Sequence, residues 1–265
     1  MRIAPLCSSS SANSSYIGMG GAGGGVLVDA GCGYKTLLDC LSLCRTDVSA
    51  IRAVLVTHEH TDHVKGLKQF TKHNDVPVYA SRGTAGFLLT NGYIYNEKNL
   101  RDLSELPNAP VDFEIKAFKT PHDSAESVGF SLVAPNGYKI AYFTDLGEIT
   151  DSVREGAAGA DFVFIEANYD ADMLRRNDAY PPYVVERISS RLGHLSNADS
   201  AEYVSRLAQS GTTRFMLAHL SRENNSPRLA YASVVGKLSD CGMRLNRDYT
   251  LDVAGVRTAG EYAAV

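Results

Sequence analysis

The stretch Val54-Leu55-Val56-Thr57-His58-Glu59-His60-Thr61-Asp62-His63 constrains this chain more than any other. Ala53 to Val56 is short, continuous and rich in branched residues, so it reads as a buried strand. The apolar run stops abruptly at His58, His60, Asp62 and His63. A strand that ends in this way delivers its loop to a sheet edge, where α/β proteins commonly build their sites. Neutral imidazole and carboxylate suit zinc, iron or manganese. These four groups are too crowded to surround one ion comfortably, and they divide naturally between two ions side by side. A polar loop that happens to carry histidine is the plain alternative. It accounts for one histidine, but not for His-x-His-x-Asp-His directly after a buried strand.

Other strand ends carry the same kind of residue. Val26-Leu27-Val28 runs into Asp29, which either orients the histidine loop or simply forms a strand-end turn. Val111 to Lys119 runs into Thr120-Pro121-His122. Tyr138 to Phe143 runs into Thr144-Asp145, and Arg214 to Ala218 into His219. Six of the seven histidines lie at such positions or in the loop holding His194; His73 falls at the far end of a helix and reads as a surface residue. Sorted by chemistry, His58, His60 and His122 form one three-nitrogen site. Asp62, His63 and His219 form its neighbour, and Asp145 and a water bridge the two. Three protein ligands and a bridge leave each ion an open position for substrate.

The remaining elements read as a single α/β domain, residues 1–265, with no linker or repeat to divide it. Short strands at 2–6 and 15–18 flank Ser8 to Ser14, a turn by composition that could also offer hydroxyls to a phosphate. Gly20 to Gly25 reads as a second turn without the spacing of a nucleotide loop. Helices are predicted over 34–44, 64–74, 84–90 and 184–192. Two more run from a Ser196 or Asn197 cap to Gln209, and from Pro227 to about Leu238. Pro135-Asn136-Gly137 joins a hairpin, and Asp161 to Glu166 is another buried strand. A polar connection is expected from Thr90 to about Pro110.

With 44% hydrophobic and 21% charged residues the composition is that of an ordinary globular protein. No apolar run approaches the ~20 residues of a membrane span, and the N-terminus lacks a secretory pattern, so a cytoplasmic protein is expected. Five cysteines without a Cys-x-x-Cys pair read as reduced, mostly buried thiols; Cys32, near Asp29, is a minor candidate ligand. A net charge of −4 argues against a broadly basic surface that coats nucleic acid, while leaving room for a local positive pocket.

Thr57-His58-x-His60-x-Asp62-His63, the lone His122, Thr144-Asp145 and His219 resemble the metallo-β-lactamase superfamily, and Asp29 fits its first motif. The resemblance implies an αββα sandwich with a two-metal site at one edge. It disfavours antibiotic hydrolysis, because zinc-cysteine lactamases carry Cys where Asp145 stands. The segment from Pro121 to Phe130 looks more like the phosphodiesterase branch than like glyoxalase II thioesterases. Glu166-Ala167 with Gly193-His194-Leu195-Ser196 resembles the ribonuclease Z pairing of a glutamate with a histidine that protonates the leaving group. The alternative for His194 is a capping or core histidine. His219-Leu220-Ser221-Arg222-Glu223-Asn224-Asn225-Ser226-Pro227 resembles the YycJ (WalJ) family, whose members are similar to 5′-to-3′ DNA exonucleases.

The resemblance implies a phosphodiesterase, with DNA favoured over RNA as substrate; no membrane partner is expected. Two divalent ions, zinc, manganese or iron, bring about +4; Asp62, Asp145 and a bridging hydroxide remove about 3, and roughly +1 remains to hold an anionic diester. Asp62 would orient or deprotonate the bridging water, and His194, held by Glu166, would protonate the departing alkoxide. Ser196, Arg222, Asn224 and Asn225 are read either as phosphate contacts or as loop hydrogen bonds and helix caps. A metal-dependent thioester or lactone hydrolase is the alternative function.

Overall fold

Two sheets run through the computed structural model, which describes residues 1–19, 24–258 and 262–263. The first contains β1 (Arg2–Ser9), β2 (Ala12–Gly18), β3 (Gly25–Val28), β4 (Ile51–Leu55), β5 (Val78–Ala80) and β6 (Leu100–Asp102). The second contains β7 (Glu114–Lys119), β8 (Val128–Val133), β9 (Lys139–Phe143), β10 (Phe162–Glu166), β11 (Arg214–Ala218) and β12 (Thr250–Val253). A final strand, β13 (Tyr262–Ala263), joins the edge of the first sheet against β1. The order is β13-β1-β2-β3-β4-β5-β6 in one sheet and β12-β11-β10-β9-β8-β7 in the other.

Strand direction repeats between the halves. From β1 to β6 the pairings run antiparallel, antiparallel, then three times parallel, and the same series runs from β7 to β12. The parallel strands β4 and β10 are buried along nearly their whole length, as strands covered on both faces must be.

Three apolar layers account for the stacking. Ile17, Val28 and Leu55 of the first sheet meet Phe130, Tyr142 and Phe164 of the second between the sheets. The outer face of the first sheet packs Leu27 and Val54 against Leu37, Leu41, Phe70 and Leu88 from the helices Tyr34–Leu43, Leu67–His73 and Arg82–Thr90. The outer face of the second packs Phe143 and Leu217 against Val153, Val204, Val234 and Leu238 from the helices Asp151–Ala157, Asn197–Gln209 and Pro227–Asp240. This is the expected αββα sandwich. No described helix is long and apolar enough to cross a membrane.

Several elements differ from expectation. The serine run is mostly strand: β1 and β2 extend through Ser8, Ser9, Asn13 and Ser14, which are buried, and only Ser10 and Ser11 remain for the turn. The helix expected over 64–74 is broken. Thr61–Val64 forms one turn, and a new helix starts at Leu67. Gly66 lies at the break because its N–H donates to Ala30 O at 2.8 Å, and a Cβ there would stand 1.9 Å from Cys32 O. The connection from 90 to 110 holds β6 and two 3₁₀ turns. The helix expected over 184–192 runs Pro182–Ile188, and helices at Asp151–Ala157 and Ala171–Arg175 were not expected. Of the turn expected over Gly20 to Gly25, residues 20–23 lie outside the described residues; Gly24 has φ +65° and Gly25 opens β3.

Candidate metal centre

The ends of β3, β4, β7, β9, β10 and β11 converge. Three of the arriving residues hold a left-handed backbone: Asp29 after β3, Asp145 after β9 and His219 after β11, with φ 59°, 59° and 54°. That region is uncommon for residues other than glycine, and it occurs here where strands must turn sharply into the site. Asp29 and Asp145 follow equivalent third strands of the repeated halves.

The structure brings the seven expected ligand residues together. One ligand atom from each of His58, His60 and His122 lies within 4.8 Å of the others, and the same holds for Asp62, His63 and His219. Asp145 lies between the sets, 3.3 Å from His63 Nε2, 3.4 Å from His219 Nδ1 and 3.9 Å from His122 Nε2. Cys32 is packed in the apolar layer outside the first sheet and belongs to neither set. His73 is exposed and stacks on Tyr34.

Four of the rings have one nitrogen committed to a partner that leaves the other for the centre. His63 Nδ1 is 2.8 Å from Asp29 Oδ2, His122 Nδ1 is 3.1 Å from Gly193 O, and His219 Nδ1 is 2.7 Å from Glu166 Oε1. His58 Nδ1 is 3.1 Å from Thr57 Oγ1, whose own proton goes to Asp29 Oδ2 at 2.8 Å. Such partners fix tautomer and ring orientation. The inward atoms His58 Nε2, Asp145 Oδ2 and His219 Nε2 are buried with no hydrogen-bond partner. His122 Nε2 faces His60 Nδ1 at 3.3 Å, two ring nitrogens turned toward one another. Orphaned buried nitrogen and carboxylate atoms of this kind are the donor set that a divalent cation completes.

Electrostatics separate the two sets. Burial, reinforced by neighbouring imidazoles, drives the His58 pKa well below its ordinary value, and burial lowers that of His122. The other set sits among carboxylates. Burial works against the charged ring of His63, yet Asp145, Asp62 and Asp29 raise its pKa well above the ordinary value. Burial likewise opposes protonation of His219, but Asp145, Asp62 and Glu166 push it up to about 10.

Asp29 acts on the loop as a buried hub. Its Oδ1 accepts from Thr57 N–H at 2.8 Å while Oδ2 takes the Thr57 hydroxyl and His63. Glu166 plays the same part in the second sheet. Leu146 N–H and Leu195 N–H donate to Oε2 at 3.2 and 3.1 Å, and Oε1 is shared by His219 and His194, the latter at 2.8 Å. The His194 side chain keeps 19% of its surface open, whereas those of His63, His122 and His219 keep 2% or less.

Two residues expected as substrate contacts have no free polar atom. Ser196 caps the helix Asn197–Gln209, accepting from Asp199 N–H and donating to Asp199 Oδ2. Asn225 is buried and spends its amide on Ala167 O, Asn168 O, Ser226 N–H and a reciprocal pair with Asn197. Asn224 accepts from Asn177 Nδ2 at 2.7 Å. The capping and loop-bonding alternative therefore describes these three, while Arg222 is exposed.

Three contributors were missed. Ser8 Oγ accepts from His219 N–H at 2.8 Å, joining β1 to the second sheet. Glu59, between two ligand candidates, is buried and accepts from Ala125 N–H at 2.6 Å and the Thr84 hydroxyl at 3.2 Å. Asn13 reaches both Asp62 and His63. The one signal for Ser8 and Asn13 was an unusually polar stretch between apolar residues at the start of the chain.

Comparison with known proteins places these features in context. Residues 25–220 match a family model described as a beta-lactamase superfamily domain. The chain is 31% identical over 253 residues to exodeoxyribonuclease YycJ of Bacillus anthracis, covering 95% of this chain and 94% of that protein. It is 30% identical over 254 residues to exodeoxyribonuclease WalJ of Streptococcus pneumoniae, covering 92% and 90%. Among solved structures, the metallo-beta-lactamase fold protein YhfI from Bacillus subtilis aligns across 97% of both chains with a TM-score of 0.69 at 15% identity, a likeness of fold.

Proposed function

The chain belongs to the β-lactamase superfamily, and from that premise we propose that it is a dinuclear metal-dependent phosphodiesterase, a DNA exonuclease of 5′-to-3′ polarity. The observation that carries this reading is the shared carboxylate of Glu166, which binds both His219, one of the ligand candidates, and His194, the open histidine beside them. A centre that hydrolyses an ester with a good leaving group needs no such histidine. A centre that expels an alkoxide does. Two relatives named exodeoxyribonucleases, aligned along nearly the whole chain, support the same substrate class.

His58, His60 and His122 would hold one cation; Asp62, His63 and His219 the other; Asp145 would serve both. Zinc, manganese and iron all suit these donors. When bound, the ions supply Lewis acidity toward the diester and make a water molecule acidic enough to attack at neutral pH. Asp62, with 23% of its side chain open, would orient that water and take its proton. His194, with Nδ1 fixed on Glu166, keeps Nε2 for the proton that the leaving alkoxide needs. Asp29 and Thr57 hold His58 and His63 in the tautomer that turns Nε2 inward. The reading takes the whole chain as one catalytic unit working on nucleic acid in the cytoplasm.

The test is digestion of end-labelled duplex DNA, single-stranded DNA and RNA by chelator-stripped protein reloaded with manganese or zinc. Stepwise shortening of DNA from the 5′ end is expected. Hydrolysis of a thioester with none of the nucleic acids cut would overturn the reading.

A further inference from the structure

Asn13 is buried at the start of β2 with its amide turned into the centre, and the chemistry proposed above leaves it without a task. Its Nδ2 lies 3.0 Å from Asp62 Oδ2 and 3.1 Å from His63 Nε2. The orientation is set from behind. Nδ2 also donates to Ser9 O at 2.9 Å, and Oδ1 accepts from Ser9 N–H at 3.2 Å. Turning the amide over would set oxygen against oxygen and N–H against NH₂. The backbone is held as firmly. Gly31 N–H donates to Asn13 O at 2.8 Å, and a Cβ on Gly31 would lie 1.6 Å from Asp62 O and 2.7 Å from Asn13 N. The hairpin, the β3 loop and Asp62 therefore meet where no side chain fits.

We propose that Asn13 is the positioning residue of the second cation, the one assigned to Asp62, His63 and His219. The inference rests on the dinuclear reading and goes beyond it. Asp62 is partly open to solvent, and among the described residues Asn13 is the one neutral donor bonded to its carboxylate. The NH₂ group fixes Asp62 Oδ2 beside His63 Nε2 before a cation arrives. A carboxylate oxygen has lone pairs for both an N–H and a cation, whereas an imidazole nitrogen has one. The cation thus takes the His63 lone pair, and Asn13 stays on Asp62. No described hydrogen bond links Asn13 to His58, His60 or His122, so its effect is confined to one cation of the two.

Calorimetric titration of chelator-stripped protein with Mn²⁺ tests this without recourse to activity. The parent chain is expected to bind two ions. Asn13→Ala should weaken one step about 10–100-fold, the usual effect of removing a ligand's outer partner, and leave the other within about twofold. Asn13→Asp keeps the oxygen that faces Ser9 N–H but replaces the donor with a negative oxygen beside Asp62. It should lower the thermal stability of the stripped protein and tighten the same step by about tenfold or more, since the cation gains a carboxylate neighbour. If Asn13 only shapes the hairpin, Asn13→Ala melts earlier with the two binding steps unmoved, and the proposal is wrong. Should the alanine chain fail to fold, the aspartate chain decides alone: a second step within twofold of the parent overturns the assignment. A parent chain that binds fewer than two ions sinks the dinuclear reading itself, a separate failure from that of Asn13.

Discussion

His194 Nδ1 lies 2.8 Å from Glu166 Oε1, the oxygen that also meets His219 Nδ1 at 2.7 Å. One carboxylate atom thus aligns a ligand candidate and the open histidine beside it. His194→Ala should depress turnover on an unactivated DNA diester by about 10²–10⁴-fold, the usual range for a general acid. The same substitution should barely change hydrolysis of bis-nitrophenyl phosphate, whose leaving group departs without a proton. Parallel rate measurements on the two substrates check this, and equal losses on both would refute the acid role.

Asp29→Asn should damage the centre without touching its shape. Asparagine tolerates the left-handed backbone that Asp29 adopts at φ 59°. Its NH₂ cannot accept from the Thr57 hydroxyl and His63 Nδ1 together, as Oδ2 does. Metal affinity should fall about 10–100-fold, and unfolding free energy by about 1–3 kcal/mol for a buried donor left unpaired. Metal titration and urea unfolding of the same preparation give both numbers.

The legible part of the centre was the part whose chemistry is concentrated or follows a strand. His58, His60, Asp62 and His63 lie within six residues, and His122, Asp145 and His219 each close a recognisable apolar run. Asn13 was hidden because its partners are 49 and 50 residues away and its neighbours are serines, which read as a turn. The break at Gly66 was hidden for a different reason. Val64, Leu67 and Phe70 keep a helical period straight through it, while the cause, the carbonyls of Ala30 and Cys32 pressed against the glycine, belongs to another strand loop. The strand β6 has three half-buried residues and no apolar alternation to announce it.

Two glycines give a signed test of that packing. Gly66→Ala forces a methyl against Cys32 O, backbone that cannot swing aside, and should cost about 1–3 kcal/mol or more. Gly86→Ala, inside the helix Arg82–Thr90 with open space around the new methyl, should stabilise by roughly 0.5–1 kcal/mol. Urea midpoints moving in opposite directions are expected. A Gly66→Ala chain as stable as the parent would show that the loop after Asp29 is not pinned as described.

Removing metal should make stability fall as pH rises. Without a cation, the carboxylates around His219 raise its pKa to about 10, and His63 moves in the same direction. Unfolded, both titrate near the ordinary value of about 6.5. A raised basic group contributes stability that is complete below the unfolded value and is lost as pH climbs through the folded one. Chelated protein should therefore melt progressively earlier from pH 6.5 to about 10. Asp62 and Glu166 add no slope in this window. Burial opposes their ionisation, but their histidine partners hold both below the ordinary carboxylate range, so they are charged in the folded and unfolded chains alike. A cation binds neutral imidazole and competes with the proton, so its hold on the second site strengthens as pH rises. The gap between the melting temperatures of loaded and chelated protein should widen across the same interval. Scanning both forms at four pH values measures it; a chelated protein that gains stability with pH would mean that His63 and His219 are not embedded among the carboxylates as the geometry places them.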